Sequence, residues 1–262
     1  MIYESDGLRI LGYLAYPRSA LESESRLPCL MFNRGGNRDF GSMTEQRALR
    51  MGPFIADWGY VFFASNYRGA EGSEGTEEFG GDDVHDVLNA LRIFDQLDFA
   101  DEERIGMWGH SRGGMMTYLA LMQTERVDAA IASGALSDMR MTIENRPEME
   151  EFVLAELVPD YEANKEQAIA HRSPIMRVEE LPKTTPILIA HGLSDWRVSP
   201  IQALNMSAAL LEHAVPHRLV MYEGADHGIA EQRDAFHAQV RDWLDRFVRD
   251  GEALPDTTPH GP

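Results

Sequence analysis

The stretch RIGMWGHSRGGMMTYLAL, residues 104 to 121, determines the fold predicted for this chain. An apolar run typical of a β-strand leads to a single serine, Ser111, and an apolar run typical of a helix follows it. A sharp turn from strand to helix is strained, and the positions two residues before and after it have little room for side chains. Gly109 and Gly113 occupy those positions. The stretch therefore predicts a turn that exposes Ser111 as a candidate nucleophile.

A G-x-S-x-G pattern alone is weak evidence for catalysis, because it is expected by chance in roughly one chain in ten. A serine hydroxyl needs a base to become nucleophilic and an acid to orient that base. Asp195 and His227 follow two later apolar runs, in the order expected for a nucleophile, an acid and a base. Asp195 also has an interpretation as the cap of a helix that starts near Pro200, and His227 as one of nine ordinary histidines. Their common position at strand ends favours catalysis.

Three other histidines compete with His227 for the role of base. His110 adjoins Ser111, but neighbouring side chains on a sharp turn point apart. His191 ends a predicted strand and is expected to pack or hydrogen-bond within the Asp195 loop. His217 begins a strand, at the opposite edge of the sheet. His227 is therefore the predicted base.

Strand-like apolar runs alternate with helix-like segments along most of the chain. Several runs are almost continuously apolar, which is typical of strands buried on both faces of a parallel sheet. The alternation predicts a three-layer α/β fold, with a mostly parallel central sheet of about eight strands and helices on both faces. Strands are predicted at 8–16, 29–33, 60–66, 104–109, 127–133, 186–192 and 217–224, and helices at 43–58, 82–98, 113–125, 200–214 and 229–249.

Two segments interrupt this alternation. Residues 67 to 81 are rich in glycine and acidic residues, and are predicted to form a long loop that ends at Asp82, the N-cap of the next helix. Residues 136 to 180 are predicted to form a helical, cap-like insertion between the sixth and seventh strands. An apolar stripe on this insertion comprises Phe152, Leu154, Leu157 and Val158.

Length and composition favour one domain over residues 1–250 and a disordered tail over 251–262, which is polar and rich in proline. A net charge of −19 argues against nucleic-acid or anionic-membrane partners, since that field repels phosphates. Cys29 is the only cysteine and is expected to be a buried, structural residue. No run approaches the length of a membrane span and no leader is evident, so we expect a soluble, cytoplasmic protein.

The loop after the strand at 29–33, FNRGGNRDFG, is a candidate for stabilising an oxyanion. In a strand-turn-helix nucleophile site, one backbone N–H comes from the residue after the nucleophile, here Arg112. The second is expected from this loop, with Gly36 as the first candidate and Gly35 as the next. The same glycines also suit a tight turn that requires positive φ, so both interpretations stay open.

On these motifs the chain resembles the α/β-hydrolase fold and, within it, the catalytic domain of the prolyl-oligopeptidase family. The resemblance implies that Ser111 is the nucleophile, His227 the general base and Asp195 its orienting acid. It also implies that the Arg112 N–H and the Gly36 region form the oxyanion hole. The motifs run from about residue 28 to 250 and comprise RGGN, NYRGAEGSEG, GGDDVHDVLNAL, GHSRGG, RSPI, LPKTTPILIAHG, HGLSDWRVSP and EGADHG.

The chain also departs from the pattern of that family. It has no room for the N-terminal β-propeller of the larger members, and Arg34 stands where some members place a tyrosine that assists the oxyanion. Arg34 and Arg68 each follow a strand, so they are candidates to bind a substrate anion, and Trp196 is a candidate to line the acyl pocket. The alternatives are ion pairs of the two arginines with acids such as Asp39, Asp82 or Asp83, and packing of Trp196 over the catalytic loop.

The sequence thus predicts a serine hydrolase that needs no cofactor and no metal. Its predicted substrate is a small carboxylic ester or a short peptide, cleaved through an acyl-enzyme. A non-catalytic binding module of the same fold is the alternative. A metal hydrolase is disfavoured by the lack of paired His and carboxylate ligand spacing. The oligomeric state stays open, with a homodimer among the options.

Overall fold

A single mixed sheet forms the centre of the computed structural model, which describes residues 1–22 and 25–258. Within that part of the chain the strands lie in the order β1-β2-β4-β3-β5-β6-β7-β8. The first two strands are antiparallel to their neighbours and the other six are parallel. The strands are β1 (Ile2–Ser5), β2 (Leu8–Ala15), β3 (Leu27–Asn33), β4 (Val61–Ser65), β5 (Ala100–His110), β6 (Ala129–Ser133), β7 (Ile187–Gly192) and β8 (His217–Tyr222).

The predicted α/β-hydrolase fold is confirmed, including the early segment 8–16, which the structure resolves into β2 with β1 before it. Both faces of the central strands are covered by apolar residues. In β4, Val61 and Phe63 belong to the core on one face, and Phe62 and Ala64 to the core on the other. Burial on both faces is the reason these strands are almost continuously apolar in sequence.

Helices cover both faces of the sheet, in most places within a few residues of the predicted bounds. Asp82 is an exception, because it precedes α2 but has helical φ and ψ and makes no capping bond with its side chain. Instead, the Asp83 carboxylate accepts a hydrogen bond from the Gly80 N–H at 2.8 Å. The α-helices are α1 (Glu45–Ala56), α2 (Asp83–Ala90), α3 (Arg112–Leu121), α4 (Met139–Asn145), α5 (Ala155–Leu157), α6 (Tyr161–His171), α7 (Ile201–Glu212) and α8 (Arg233–Leu244).

Short 3-10 and π-helical segments complete the helical structure. The 3-10 segments are Arg18–Leu21, Leu91–Gln96, Pro174–Glu180 and Ala230–Gln232, and the π-helical segments are Glu150–Leu154 and Asp245–Arg249.

The insertion between β6 and β7 is helical, as predicted, but consists of several short pieces. Its predicted apolar stripe is only partly correct. Leu154 and Val158 are buried and Leu157 packs against the core, whereas Phe152 is 53% exposed. The π-helical turn at Glu150–Leu154 shifts the helical phase, so a stripe drawn with regular α-helical spacing does not describe this segment.

The remaining predictions on chain organisation are tested only in part. No helix within the described residues is both long and apolar enough to cross a membrane. Residues 251–258 form no helix or strand, and 259–262 lie outside the described residues. The predicted disorder of the tail and the single-domain assignment therefore stay predictions.

Sheet order and register bring distant loops to one edge. Because β3 lies beside β5 and Asn33 pairs with Gly109, the loop after β3 begins directly beside the turn that carries Ser111. The loops after β7 and β8 leave the same edge, since all these strands are parallel.

Candidate active site

The turn between β5 and α3 holds Ser111 in a strained conformation. Its φ is 58° and its ψ is −124°, values that L-residues rarely adopt. The turn is held by a hydrogen bond from the Ser111 N–H to the Ser133 carbonyl at 2.9 Å and by one from the Gly114 N–H to the Ser111 carbonyl at 2.9 Å. The helix that follows directs its free N-terminal N–H groups toward the same region.

Steric crowding explains the glycines on either side of the serine. A Cβ atom on Gly109 would lie 2.0 Å from the Gly113 carbonyl oxygen, and one on Gly113 would lie 1.9 Å from the Asn33 carbonyl oxygen. Both distances are far below van der Waals contact, and the obstacle in each case is backbone. The glycines are therefore required by the close approach of β3, β5 and α3.

Asp195 and His227 lie together at the same edge of the sheet. His227 Nδ1 is 2.7 Å from Asp195 Oδ2. Asp195 Oδ1 accepts hydrogen bonds from the backbone N–H groups of Arg197, at 2.8 Å, and Val198, at 3.0 Å. The alternative in which Asp195 caps the helix near Pro200 is wrong, since α7 has no side-chain cap.

Burial alone would raise the pKa of the Asp195 carboxyl, but hydrogen bonds from His191 and His227 outweigh burial and hold this pKa below its ordinary value. The carboxylate thus stays ionised and accepts the Nδ1 proton of His227, which leaves the lone pair on Nε2 available to a hydroxyl. His191 lies near the end of β7 and contacts the Asp195 loop as predicted, with Nε2 3.0 Å from Asp195 Oδ2 and 3.0 Å from the Val198 carbonyl oxygen.

Ser111 and His227 line one cavity of about 480 Å³, which also receives Gly36 and Arg112. Asp195 lies behind His227 with its side chain fully buried, whereas the His227 side chain is 14% exposed. The rest of the cavity wall combines apolar side chains with arginines, chiefly from the loop after β3, from α1 and from the insertion. This arrangement places a hydroxyl, an imidazole and backbone donors around one space large enough for a small substrate.

His110 is a second histidine at this cavity, and its ring centroid is 4.8 Å from that of His227. Burial, and then the nearby charge of His227, lower the pKa of His110 to about 3. The ring is therefore neutral at ordinary pH, with Nδ1 3.3 Å from the Ser133 hydroxyl. A neutral His110 adds no charge beside the His227 imidazolium that would form during catalysis.

The loop after β3 approaches Ser111 closely. A Cβ atom on Gly35 would lie 3.0 Å from Ser111 Cβ and 3.6 Å from its Oγ, so a side chain at this position would crowd the nucleophile turn. Gly36 has a φ of 72°, and a Cβ atom there would lie 1.9 Å from the Phe40 carbonyl oxygen. The tight turn is thus present at Gly36, and the role of this loop in an oxyanion hole stays a prediction.

Arg34 holds this loop in place. Its Nη1 donates to the Gly35 carbonyl at 3.1 Å, and its Nε donates to the Asn66 carbonyl at 3.0 Å. Since a trans peptide directs its N–H opposite to its carbonyl, a fixed Gly35 carbonyl also fixes the direction of the Gly36 N–H. Within the described residues, neither the Gly36 N–H nor the Arg112 N–H has a hydrogen-bond acceptor.

Beneath the loop lies a set of charged side chains that sequence analysis missed, here called the buried ion cluster: Arg34, Glu77, Asp83 and Arg112. Arg112 Nη1 is 2.8 Å from Glu77 Oε1, and Arg112 Nη2 forms an ion pair with Asp83. Glu77 Oε2 lies 3.4 Å from Arg34 Nη2 and accepts a hydrogen bond from the Arg38 N–H at 2.8 Å. All four side chains are at most 2% exposed, and their formal charges cancel.

The predicted substrate contacts of Arg34, Arg68 and Trp196 do not match their surroundings. The guanidinium of Arg34 borders the cavity but is engaged by the loop and by Glu77. Arg68 lies outside the cavity and pairs with Asp86 and Asp6, each at 2.9 Å. Trp196 does not line the cavity, and the residue is 68% exposed. Ion pairing therefore describes both arginines. Glu77, Asp86 and Asp6 were not among the predicted partners, whereas Asp82 was predicted and makes a longer contact to Arg68 at 3.9 Å.

No group of three or more His, Cys, Asp and Glu side chains suited to hold a metal ion occurs within the described residues. Cys29 is buried as predicted, and burial raises the pKa of its thiol to about 12.

Comparison with known proteins gives consistent matches. The model of the prolyl oligopeptidase family matches residues 49–250. The uncharacterized peptidase YtmA of Bacillus subtilis is 31% identical over 198 residues, which cover 75% of this chain and 73% of that protein. Dipeptidyl-peptidase 5 of Porphyromonas gingivalis is 27% identical, over 94% of this chain and 37% of that protein.

Solved structures agree on the fold. The acylaminoacyl peptidase of Pyrococcus horikoshii superposes with a TM-score of 0.82 at 22% identity, over 98% of this chain and 42% of that one. A puromycin-hydrolyzing peptidase of Mycobacterium tuberculosis superposes with a TM-score of 0.77 at 22% identity, over 95% of this chain and 39% of that one. The chain thus spans about two fifths of the length of these two peptidases.

Proposed function

The chain belongs to the prolyl oligopeptidase family and is a serine peptidase of that type, and we propose that it cleaves short peptides through an acyl-enzyme formed on Ser111. The observation that carries this proposal is the pairing of His227 Nδ1 with Asp195 Oδ2 at 2.7 Å, beside a cavity that His227 shares with Ser111. Small carboxylic esters are a second substrate class, because the same attack on a carbonyl carbon cleaves an ester bond as well as a peptide bond.

The reaction begins with proton transfer from Ser111 Oγ to His227 Nε2 as Oγ attacks the substrate carbonyl carbon. Asp195 keeps the proton of His227 on Nδ1 and stabilises the imidazolium that forms. The strained turn presents Oγ to the cavity without a rearrangement of the backbone.

The carbonyl oxygen becomes negative in the tetrahedral intermediate. The Arg112 N–H, at the start of α3, and the Gly36 N–H donate hydrogen bonds to this oxygen. In support of this role, neither N–H has an acceptor among the described residues. His227 then returns the proton to the leaving amine or alcohol. Water, activated by the same imidazole, attacks the acyl-enzyme and releases the acid.

The choice of short peptides rests on the relatives. These relatives are named as peptidases, dipeptidyl-peptidases and acylaminoacyl peptidases, and the chain covers 73% of YtmA but only 37% of dipeptidyl-peptidase 5. A cavity of about 480 Å³ suits a few residues of a peptide.

Covalent labelling tests the nucleophile. A fluorophosphonate probe should label the wild-type protein, and Ser111→Ala should abolish labelling. Labelling that persists in the variant would refute the assignment. Complete absence of labelling and turnover in a folded wild-type protein would favour the alternative, a binding module without catalysis.

A matched substrate panel tests the reaction. N-acyl aminoacyl p-nitroanilides and the corresponding p-nitrophenyl esters share an acyl group and differ in the bond that is cleaved. Turnover of both series is expected, with kcat/KM lost in Ser111→Ala. Turnover confined to the esters would replace the peptidase proposal with an esterase.

A further inference from the structure

The cavity that holds Ser111 has a charge opposite to that of the whole molecule. Lys and Arg number 24 in the chain against 43 Asp and Glu, yet six arginines and no acidic residue line this cavity within the described part of the chain. A random sample of the surface would favour acidic side chains. The cavity is therefore enriched in positive charge relative to the rest of the molecule.

The six arginines fall into two groups. Arg34 and Arg112 lie in the buried ion cluster, where Glu77 and Asp83 neutralise them, so their charges are not available to a substrate. The other group is here called the outer arginines and comprises Arg47, Arg50, Arg146 and Arg197. Within residues 1–22 and 25–258, only Arg146 of this second group has a carboxylate partner, Glu148 at 2.9 Å.

Arg197 is the best positioned of the outer arginines. It lies two residues after Asp195 and is only partly exposed. Its guanidinium carbon is 4.7 Å from the ring centroid of Trp196 and 5.6 Å from that of Phe40, a residue of the loop after β3. The two aromatic rings thus stabilise the Arg197 cation by cation–π contacts, which do not use its hydrogen-bond donors.

Arg47 and Arg50 add two more positive charges from α1. Both are exposed, and they border the cavity beside Met43 and Met51. The guanidinium of Arg47 donates one hydrogen bond, from Nη1 to the Ser42 carbonyl at 2.8 Å, and its other donors have no protein acceptor within the described residues. Arginine donors suit planar carboxylates.

We propose that the outer arginines bind a carboxylate of the substrate, so that the protein prefers peptides carrying a negative charge close to the scissile bond. The proposal rests on the proposed function of Ser111 and specifies its substrate class. The carboxylate has two sources in a short peptide: an acidic side chain on the residue that forms the acyl-enzyme, or the free C-terminus of the leaving residue. With a net charge of −19 the molecule as a whole repels such substrates, so a preference for them requires local recognition.

Two pairs of substrates distinguish the sources. N-acetyl-Glu p-nitroanilide and N-acetyl-Gln p-nitroanilide differ in charge on the acyl side. N-acetyl-Ala-Phe and its C-terminal amide differ in charge on the leaving side. In at least one pair, kcat/KM should favour the charged member by about tenfold at low salt, and the ratio should fall as ionic strength rises.

Variants connect that preference to the arginines. Arg197→Gln and the double variant Arg47→Gln with Arg50→Gln should each reduce the ratio of charged to neutral substrate several-fold. Arg92→Gln removes the same charge from an exposed position outside the cavity and should leave the ratio unchanged. A ratio near one in both pairs, or an equal loss in Arg92→Gln, would overturn the proposal.

Binding to an inactive protein separates this proposal from the proposed function. In Ser111→Ala, isothermal titration should show tighter binding of the charged member of the preferred pair, and Arg197→Gln added to this variant should weaken it. This result is independent of whether Ser111 is the nucleophile. Equal affinity of both members in Ser111→Ala would refute carboxylate recognition even if the wild-type protein is an active peptidase.

Discussion

Arg112 Nη1 lies 3.1 Å from the Gly36 carbonyl oxygen, so the residue after the candidate nucleophile is joined by its side chain to the loop after β3. Glu77 Oε1 lies 2.8 Å from the same nitrogen, and Glu77 Oε2 accepts a hydrogen bond from the Arg38 N–H. The two backbone donors proposed for the oxyanion are therefore fixed relative to each other by one buried ion cluster. We therefore expect Glu77 to act as a positioning residue.

Glu77→Gln removes one buried charge and leaves two arginines against Asp83. The free energy of unfolding, measured in urea, should fall by about 3 kcal/mol, because a broken buried ion pair leaves an uncompensated charge. Glu103→Gln, at an exposed position, should change it by less than about 0.5 kcal/mol.

If Glu77 also positions the loop, kcat of Glu77→Gln should fall about tenfold or more with a smaller change in KM. Lower stability with unchanged kcat would restrict Glu77 to a structural role.

Asp195→Asn tests the orientation of His227. The amide can keep the bonds from the Arg197 and Val198 N–H groups to its oxygen, but it then presents an NH₂ group to His227 Nδ1. The imidazole proton would move to Nε2, and kcat should fall by about 10³- to 10⁴-fold in a p-nitroanilide assay. Asp226→Asn changes an exposed carboxylate in the loop that carries His227, and its amide oxygen can still accept the Gly228 N–H, so this matched control should retain most activity. A small effect of Asp195→Asn would contradict the assigned acid.

Strain at Ser111 predicts an effect on stability. With φ at 58°, a Cβ atom is unfavourable, so the free energy of unfolding of Ser111→Gly should exceed that of Ser111→Ala by about 1 kcal/mol. Both variants should be inactive. Urea titration of the two variants measures the difference. Equal stability, or a more stable alanine variant, would show that the turn is not strained.

The lowered pKa of His110 predicts how the stability of the protein changes in acid. Its pKa is lowered to about 3 by burial and by the charge of His227, whereas an unfolded histidine has a pKa of about 6.5. Between these values the unfolded chain binds a proton that the folded protein does not, so stability falls as the pH falls from about 6.5 toward 3. His110→Asn should make this decline shallower, by up to about 1.4 kcal/mol per pH unit. Parallel curves for the wild type and the variant, from urea titrations at pH 7, 6, 5 and 4, would refute this assignment.

Much of the fold follows from the sequence because it depends on local patterns. A strand buried on both faces must be apolar throughout, as in β4, and a strand-to-helix turn at Ser111 must have glycine where backbones meet, as at Gly113. Parallel strands of one sheet end at the same edge. Residues that follow them, such as Asp195 and His227, could therefore be expected to meet even though 32 positions separate them.

The partners of charged side chains followed from the tertiary structure alone. Arg68 was a candidate for substrate binding because it follows a strand, but α2 places Asp86 against it. Arg112 pairs with Asp83 across 29 positions, and no local pattern specifies that contact. A charge binds whichever opposite charge packing brings near, and burial makes that pairing necessary. Sequence patterns thus determined the strands and the candidate triad, whereas three-dimensional packing determined which arginines are neutralised and which face the cavity.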